Sequence, residues 1–220
     1  MKESPILFSG EMVRAIIEGR KTQTRRVLKK QPIDILPMNV PNEWVTLETR
    51  KPSHGSVIGC RFGVPGDRLW VRETFALERY EDEPATPKDG RPIRHQEFRS
   101  EWASDYWLYP HYCTDPAPDL CYEDDPNDDG EPKCKWKPSI HMPRWASRIT
   151  LEIVSVRVER VKSITPADAF AEGVRSTYLH QPPDWLDVDR FKELWEKINA
   201  KRGYGWQANP WVWVIEFKRV

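Results

Sequence analysis

The chain has 220 residues, 39% hydrophobic and 31% charged, and its 34 Lys and Arg are balanced by 34 Asp and Glu. This length and composition suit a soluble globular protein of one large domain or two small ones and argue against a binder that grips nucleic acid by net charge alone. No apolar run approaches the roughly 20 residues of a membrane span and no secretory signal opens the chain, so cytoplasmic placement and no membrane partner are expected.

The zero net charge hides a gradient. Residues 1–30 carry eight Lys or Arg against three acids, whereas Glu123 to Glu131 holds six carboxylates and no cation. Any contact with nucleic acid is therefore expected near the N-terminus. Eleven Trp supply large rigid surfaces, for a core or for stacking on bases.

Taken in order, Pro5 to Phe8 reads as a first strand and Ser9 to Glu18 as a short amphipathic helix. Met12, Val13, Ile16 and Ile17 lie on one face of it, Ser9 is the N-cap and Gly19 the left-handed stop. Arg20-Lys21-Thr22-Gln23-Thr24-Arg25-Arg26 follows directly. In an extended chain Thr22, Thr24 and Arg26 point one way and Lys21, Gln23 and Arg25 the other. A backbone still turning at Lys21 would let its amine reach the Thr24 hydroxyl, a base beside an alcohol. The other reading is a set of cations suited to a helix C-terminus.

Residues 27–63 are polar and Pro-punctuated, with Trp44 to Leu47 as one short strand. Val64-Pro65-Gly66-Asp67 is turn chemistry leading into an alternating strand, Arg68 to Phe75. Leu69, Val71 and Phe75 take one face of it; Arg68, Trp70, Arg72 and Thr74 take the other, as a base-stacking platform or a solvent face. Residues 77–137 lose periodicity and read as an irregular acidic insertion rich in Pro and aromatics. Lys137 to Trp145 is an extended, Pro-bounded segment and carries Arg144 and Trp145, over a pocket or simply against the core.

Ser147 to Val161 is the longest strand signal, with a bulge where Val154 breaks the alternation. A compact helix follows: Thr165 caps it, Pro166 opens it, Asp168 completes a capping box and Gly173 stops it. Glu172 sits at the negative end of that helix, a local violation balanced either by a function or by a cation such as Arg175. Asp187 to Lys201 is a strongly amphipathic helix with Gly203 beyond its end. Trp211 to Phe217 is apolar on both faces and so expected inside a sheet or barrel. The four Cys (Cys60, Cys113, Cys121 and Cys134) form no CxxC pair. No disulfide is expected; Cys113, Cys121 and Cys134 with His111 or His141 could hold a zinc, though their irregular spacing favours ordinary loop cysteines.

Gly19-Arg20-Lys21-Thr22-x-Thr24-x-Arg26 after a short helix resembles the signature of the ASCH domain, a relative of the PUA RNA-binding fold. Pro65 to Val71 and Trp211 to Phe217 resemble two further stretches of that family, and the chain as a whole is similar to its longer phage- and prophage-encoded members. The resemblance implies a mainly β (α+β) PUA-like barrel with peripheral helices, one domain over 1–220 carrying the 77–137 insertion. In the family's small N4-acetylcytidine amidohydrolases a Lys, a Thr and a Glu do the chemistry, which implies Lys21, Thr24 and Glu172 here, with no cofactor. Ala169-Phe170-Ala171-Glu172 is the match to the setting of the family's Glu. A modified nucleoside or RNA is then the expected partner, with Arg20, Arg25, Arg26, Arg72 and Arg144 on phosphate and Trp70 or Trp145 on a base. Two alternatives stand beside the hydrolase, namely an RNA-binding module without catalysis and a metal-independent ribonuclease.

Overall fold

The computed structural model describes residues 1–32, 35–36, 44–47, 56–80, 107–113, 136–174 and 185–220. Its strands are β1 (Glu3–Leu7), β2 (Gln23–Val27), β3 (Ile35–Leu36), β4 (Trp44–Leu47), β5 (Ser56–Gly59), β6 (Arg68–Arg72), β7 (Phe75–Tyr80), β8 (Trp107–Tyr112), β9 (Thr150–Arg160) and β10 (Trp211–Arg219). The α-helices are α1 (Gly10–Ile17), α2 (Pro166–Ala171) and α3 (Trp185–Asn199). The chain divides into two compact units: Met1–Ile6, Arg14–Trp70 and Ile149–Val220 in the first, Leu7–Val13 and Val71–Arg148 in the second.

The first unit is an α+β fold around a five-stranded sheet of order β1-β6-β9-β10-β2, beside a three-stranded sheet β3-β4-β5. β10 lies between β9 and β2, antiparallel to both, which explains why it is apolar on both faces. Val212 and Val214 face a core of Val161, Ile164, Ala169, Phe191 and Trp195, so α2 and α3 cover that side of the sheet. Trp213, Ile215 and Phe217 alternate onto the other side and are buried as well. β1 and β2 are the sheet's two edges, so the closed barrel expected from the sequence is not formed among the described residues. Closure would require those two edges to pair with each other.

Several local expectations are met. Opposite β10, β9 pairs Ser155 with Glu216 and then Ile153 with Phe217, leaving Val154 as the extra residue of a bulge, half exposed. Gly66 adopts φ +88° in the turn before β6, and Asp67 closes that turn with its carboxylate on the Val64 amide at 3.2 Å and the Lys2 amide at 2.7 Å.

In the second unit part of the expected irregular insertion, 77–137, forms regular strands. β7 and β8 pair antiparallel from Phe75 opposite Tyr112 to Tyr80 opposite Trp107. Phe75, Tyr112, Met142 and Ala146 form its core. Glu73 is buried and held by two 3.0 Å bonds from Arg148, whose guanidinium lies 3.8 Å from the Tyr112 ring centroid. The acidic run 123–131 and Arg175 lie outside the described residues, as do Cys121 and Cys134; Cys113 is exposed. Among the described residues no helix is long and apolar enough to cross a membrane.

Candidate functional site

The basic segment after α1 acquires its geometry from a helix stop. Gly19 takes φ +75°, its amide bonds the Ile16 carbonyl at 3.0 Å, and the Arg20 amide bonds the Ala15 carbonyl at 2.9 Å. This double closure is a Schellman motif, and it turns the chain sharply out of the helix.

The next three residues then meet the end of α2 in reverse order. The Thr22 amide donates to the Ala171 carbonyl at 2.9 Å, the Lys21 amine to the Glu172 carbonyl at 2.7 Å, and Arg20 Nη1 to the Gly173 carbonyl at 3.1 Å. Three consecutive carbonyls left open by α2 are thereby satisfied, two of them by cations that suit its negative end. Gly173, at φ +83°, permits the approach: a Cβ there would lie 2.9 Å from Ala15 Cβ and 3.0 Å from Lys21 Cβ.

The α2 helix is fixed at its other end by the expected capping box. Thr165 accepts from the Asp168 amide at 3.1 Å and its own amide donates to Asp168 Oδ2 at 3.1 Å. The carboxylate of Glu172 then meets the Lys21 amine at 2.9 Å, with the two side chains 4% and 0% exposed. Lys21 also donates to the Gln23 carbonyl at 2.7 Å. The neighbouring Thr22 carbonyl accepts from Phe217 of β10, so the Gln23 carbonyl points to the open edge of β2, and the amine stands at that edge. Burial pushes the Lys21 amine below its ordinary value, against the attraction of Glu172 and with the help of Arg26 and Arg25.

Arg25 lies on the face of β2 that α2 covers. Its buried guanidinium is 3.2 Å from Glu159, 3.2 Å from Asp168 and 3.4 Å from Glu172 Oε1. It sits 5.9 Å from the Phe191 ring centroid. The expected role of Arg25 on phosphate is therefore corrected: a side chain with no exposed surface and three carboxylates around it pins internal acids. A second tier extends from it. Arg157 binds Glu159 at 2.6 Å and Asp168 at 3.3 Å and also holds Glu216, while Gln23 reaches Asp168 at 3.2 Å. Sequence reading passed over Arg157 and Glu159; the signal was present in β9, where Ser155, Arg157 and Glu159 alternate with Val156 and Val158. A polar row on a strand face under a helix needs partners.

Thr24, 3% exposed, follows Gln23 on β2 and by strand alternation takes the face opposite Gln23 and Arg25. Arg26 shares that face. Burial, helped by the charges of Arg61 and Arg202, lowers its guanidinium to about 10 against the pull of Glu172. Both of those arginines are exposed, so the three form a cationic flank.

The remaining expected binding residues stand apart in role. Arg20 bonds Glu18 at 2.7 Å besides capping α2. Trp70 is only 7% exposed, which leaves its indole little face for a base. In the second unit Arg72 donates to the Ile140 carbonyl at 3.2 Å, and Arg144 with Trp145 forms a 3-10 turn in which the indole is 42% exposed. Among the described residues no cluster of His, Cys, Asp and Glu suits a metal ion.

No family model matches the chain, and neither does any curated protein or solved structure.

Proposed function

We propose that the first unit is an amidohydrolase acting on an acylated nucleoside of the N4-acetylcytidine type, with Lys21 as base, Thr24 as nucleophile and Glu172 as the acid that orients the amine. The observation that carries this reading is the buried 2.9 Å pair of Lys21 and Glu172, joined from residues far apart in the chain, with the amine bonded to the Gln23 carbonyl, one residue before Thr24 in the sequence. Burial lowers the proton affinity of the amine, which favours the neutral form that a base needs. In the reaction the Thr24 oxygen bonds to the acetyl carbonyl carbon as its proton passes to neutral Lys21. The C–N bond then breaks, Lys21 returns the proton to the leaving amine, and water releases acetate from Thr24. Arg26 supplies a positive charge for the developing oxyanion, and Arg61 and Arg202 for a phosphate on a nucleotide substrate.

A second reading has its own observation. Gln23 O, Glu172 O and Glu172 Oε2 give the Lys21 amine three acceptors, as many as an ammonium has protons. A permanently charged Lys21 would serve as a structural cap, and the unit would be an RNA-binding module whose cationic flank meets phosphates.

Incubation of the purified protein with N4-acetylcytidine separates the two. Cytidine and acetate should appear, and Lys21→Met, Thr24→Val and Glu172→Gln should each abolish them. Intact substrate at high enzyme concentration, or full activity in Thr24→Val, rejects the hydrolase. Salt-dependent RNA retention without turnover supports the module, and newly cut RNA ends would indicate a ribonuclease instead.

A further inference from the structure

We propose that Arg25 is a positioning residue for the Lys21–Glu172 pair: by holding Glu172 Oε1 it turns Oε2 to the amine and divides the acid's charge between two cations. The inference rests on the hydrolase reading above and concerns how its base is kept ready.

A carboxylate at 2.9 Å works against the effect of burial and favours a proton on the amine. A cation that competes for that carboxylate weakens its hold, and Arg25 is placed as one. It reaches the oxygen of Glu172 that Lys21 does not use, at 3.4 Å, with its side chain closed to water. Its fork is fixed independently by Glu159 on β9 and Asp168 on α2, each at 3.2 Å. Those acids are held in turn by Arg157, which Glu216 anchors from β10. A planar guanidinium with two outside anchors cannot swing with Glu172, whereas a lysine in its place would offer a point charge without the fork.

Among the described residues, charged groups from several elements surround the amine. Glu172 comes from the end of α2, and Arg25 and Arg26 from β2; both arginines work against a proton on Lys21. Beyond Arg25 lie Asp168, Glu159, Arg157 and Glu216, and beyond Arg26 lie Arg61 and Arg202. α3 contributes the ring of Phe191, an apolar and weakly attractive wall behind the guanidinium. The same arrangement explains why this cation is sealed from solvent while Arg61 and Arg202 are exposed.

The test is the pH profile of kcat/KM on N4-acetylcytidine, whose acid limb reports deprotonation of the base in the free enzyme. In Arg25→Met the limb should move up by about one pH unit, a roughly tenfold loss of kcat/KM at a pH on that limb. Arg25→Lys should bring the limb back towards the wild-type position while leaving kcat reduced. Glu159→Gln removes a competing acid and should move the limb down; being isosteric, it reads the same charge balance should Arg25→Met fail to fold. A purely structural Arg25 would lower kcat/KM evenly at all pH values, and an unmoved limb in Arg25→Met and Glu159→Gln overturns the proposal. If the wild type turns nothing over, the hydrolase reading fails by itself. The 15N-NMR titration of the Lys21 amine then decides this one, with midpoints expected up in Arg25→Met and down in Glu159→Gln, and a common midpoint overturning it.

Discussion

Lys21→Met tests how much of the first unit hangs on one buried amine. The methionine keeps the stem's approximate volume and removes the charge together with three donated bonds, to Gln23 O, Glu172 O and Glu172 Oε2. Both side chains of the pair are essentially closed to water, so little solvent screening discounts the loss. Stranding one partner of such a pair costs about 3–5 kcal/mol, and two uncapped carbonyls at the end of α2 and the edge of β2 add to the upper part of that range. For a chain of 220 residues, where each kcal/mol moves the midpoint by about 2–4 °C, the melt followed by circular dichroism should fall by roughly 6–20 °C. Lys218→Met is the control: its ion pair with Glu152, at 2.9 Å, has the lysine side chain 59% exposed, and such pairs contribute about 1 kcal/mol or less. A drop in Lys21→Met no larger than in Lys218→Met would refute the claim that this amine joins α2 to β2.

Further outcomes follow from neighbouring features. Gly173→Ala forces a Cβ into Ala15 and Lys21 at a positive φ and should cost about 2–4 kcal/mol, read as a lowered melting midpoint; an unchanged midpoint would mean the α2 end does not press on Lys21. Asp168 is held below its usual range. Burial alone would raise it, but the hydrogen bonds from Thr165, the charge of Arg25 and the bond from Gln23 outweigh that. Its contribution is therefore present above pH 3.8 and lost as the pH falls through its lower folded value. The melting gap between wild type and Asp168→Asn should narrow as the pH drops below 3.8. In the second unit Arg148→Met leaves Glu73 buried, 1% exposed, without its bidentate partner and should cost about 3–5 kcal/mol; Glu73→Gln combined with it should recover part of that loss.

Local chemistry was legible wherever one segment carries its own reasons. The stop at Gly19, the Thr165–Asp168 capping box, the bulge at Val154 and the interior place of β10 are each specified by a few adjacent residues, through backbone freedom, side-chain acceptors or a break in alternation. Glu172 was legible as a violation of the helix dipole but not in its resolution. Among the described residues the cations beside it are Lys21 and Arg25, from another end of the chain. Arg25 looked like a surface cation because charge in a sequence carries no sign of burial; three acids from two other elements make it an interior one. The residues by themselves determined the Gly19 stop, the Thr165 cap and the Val154 bulge, since those energies are set within a turn or a strand pair, but not the break between β6 and β7 at Glu73 and Thr74, where one strand was expected over Arg68 to Phe75. Tertiary structure alone decided which charges face each other and that the sheet is not closed among the described residues, because desolvation and ion pairing depend on distances through space that no spacing along the chain encodes.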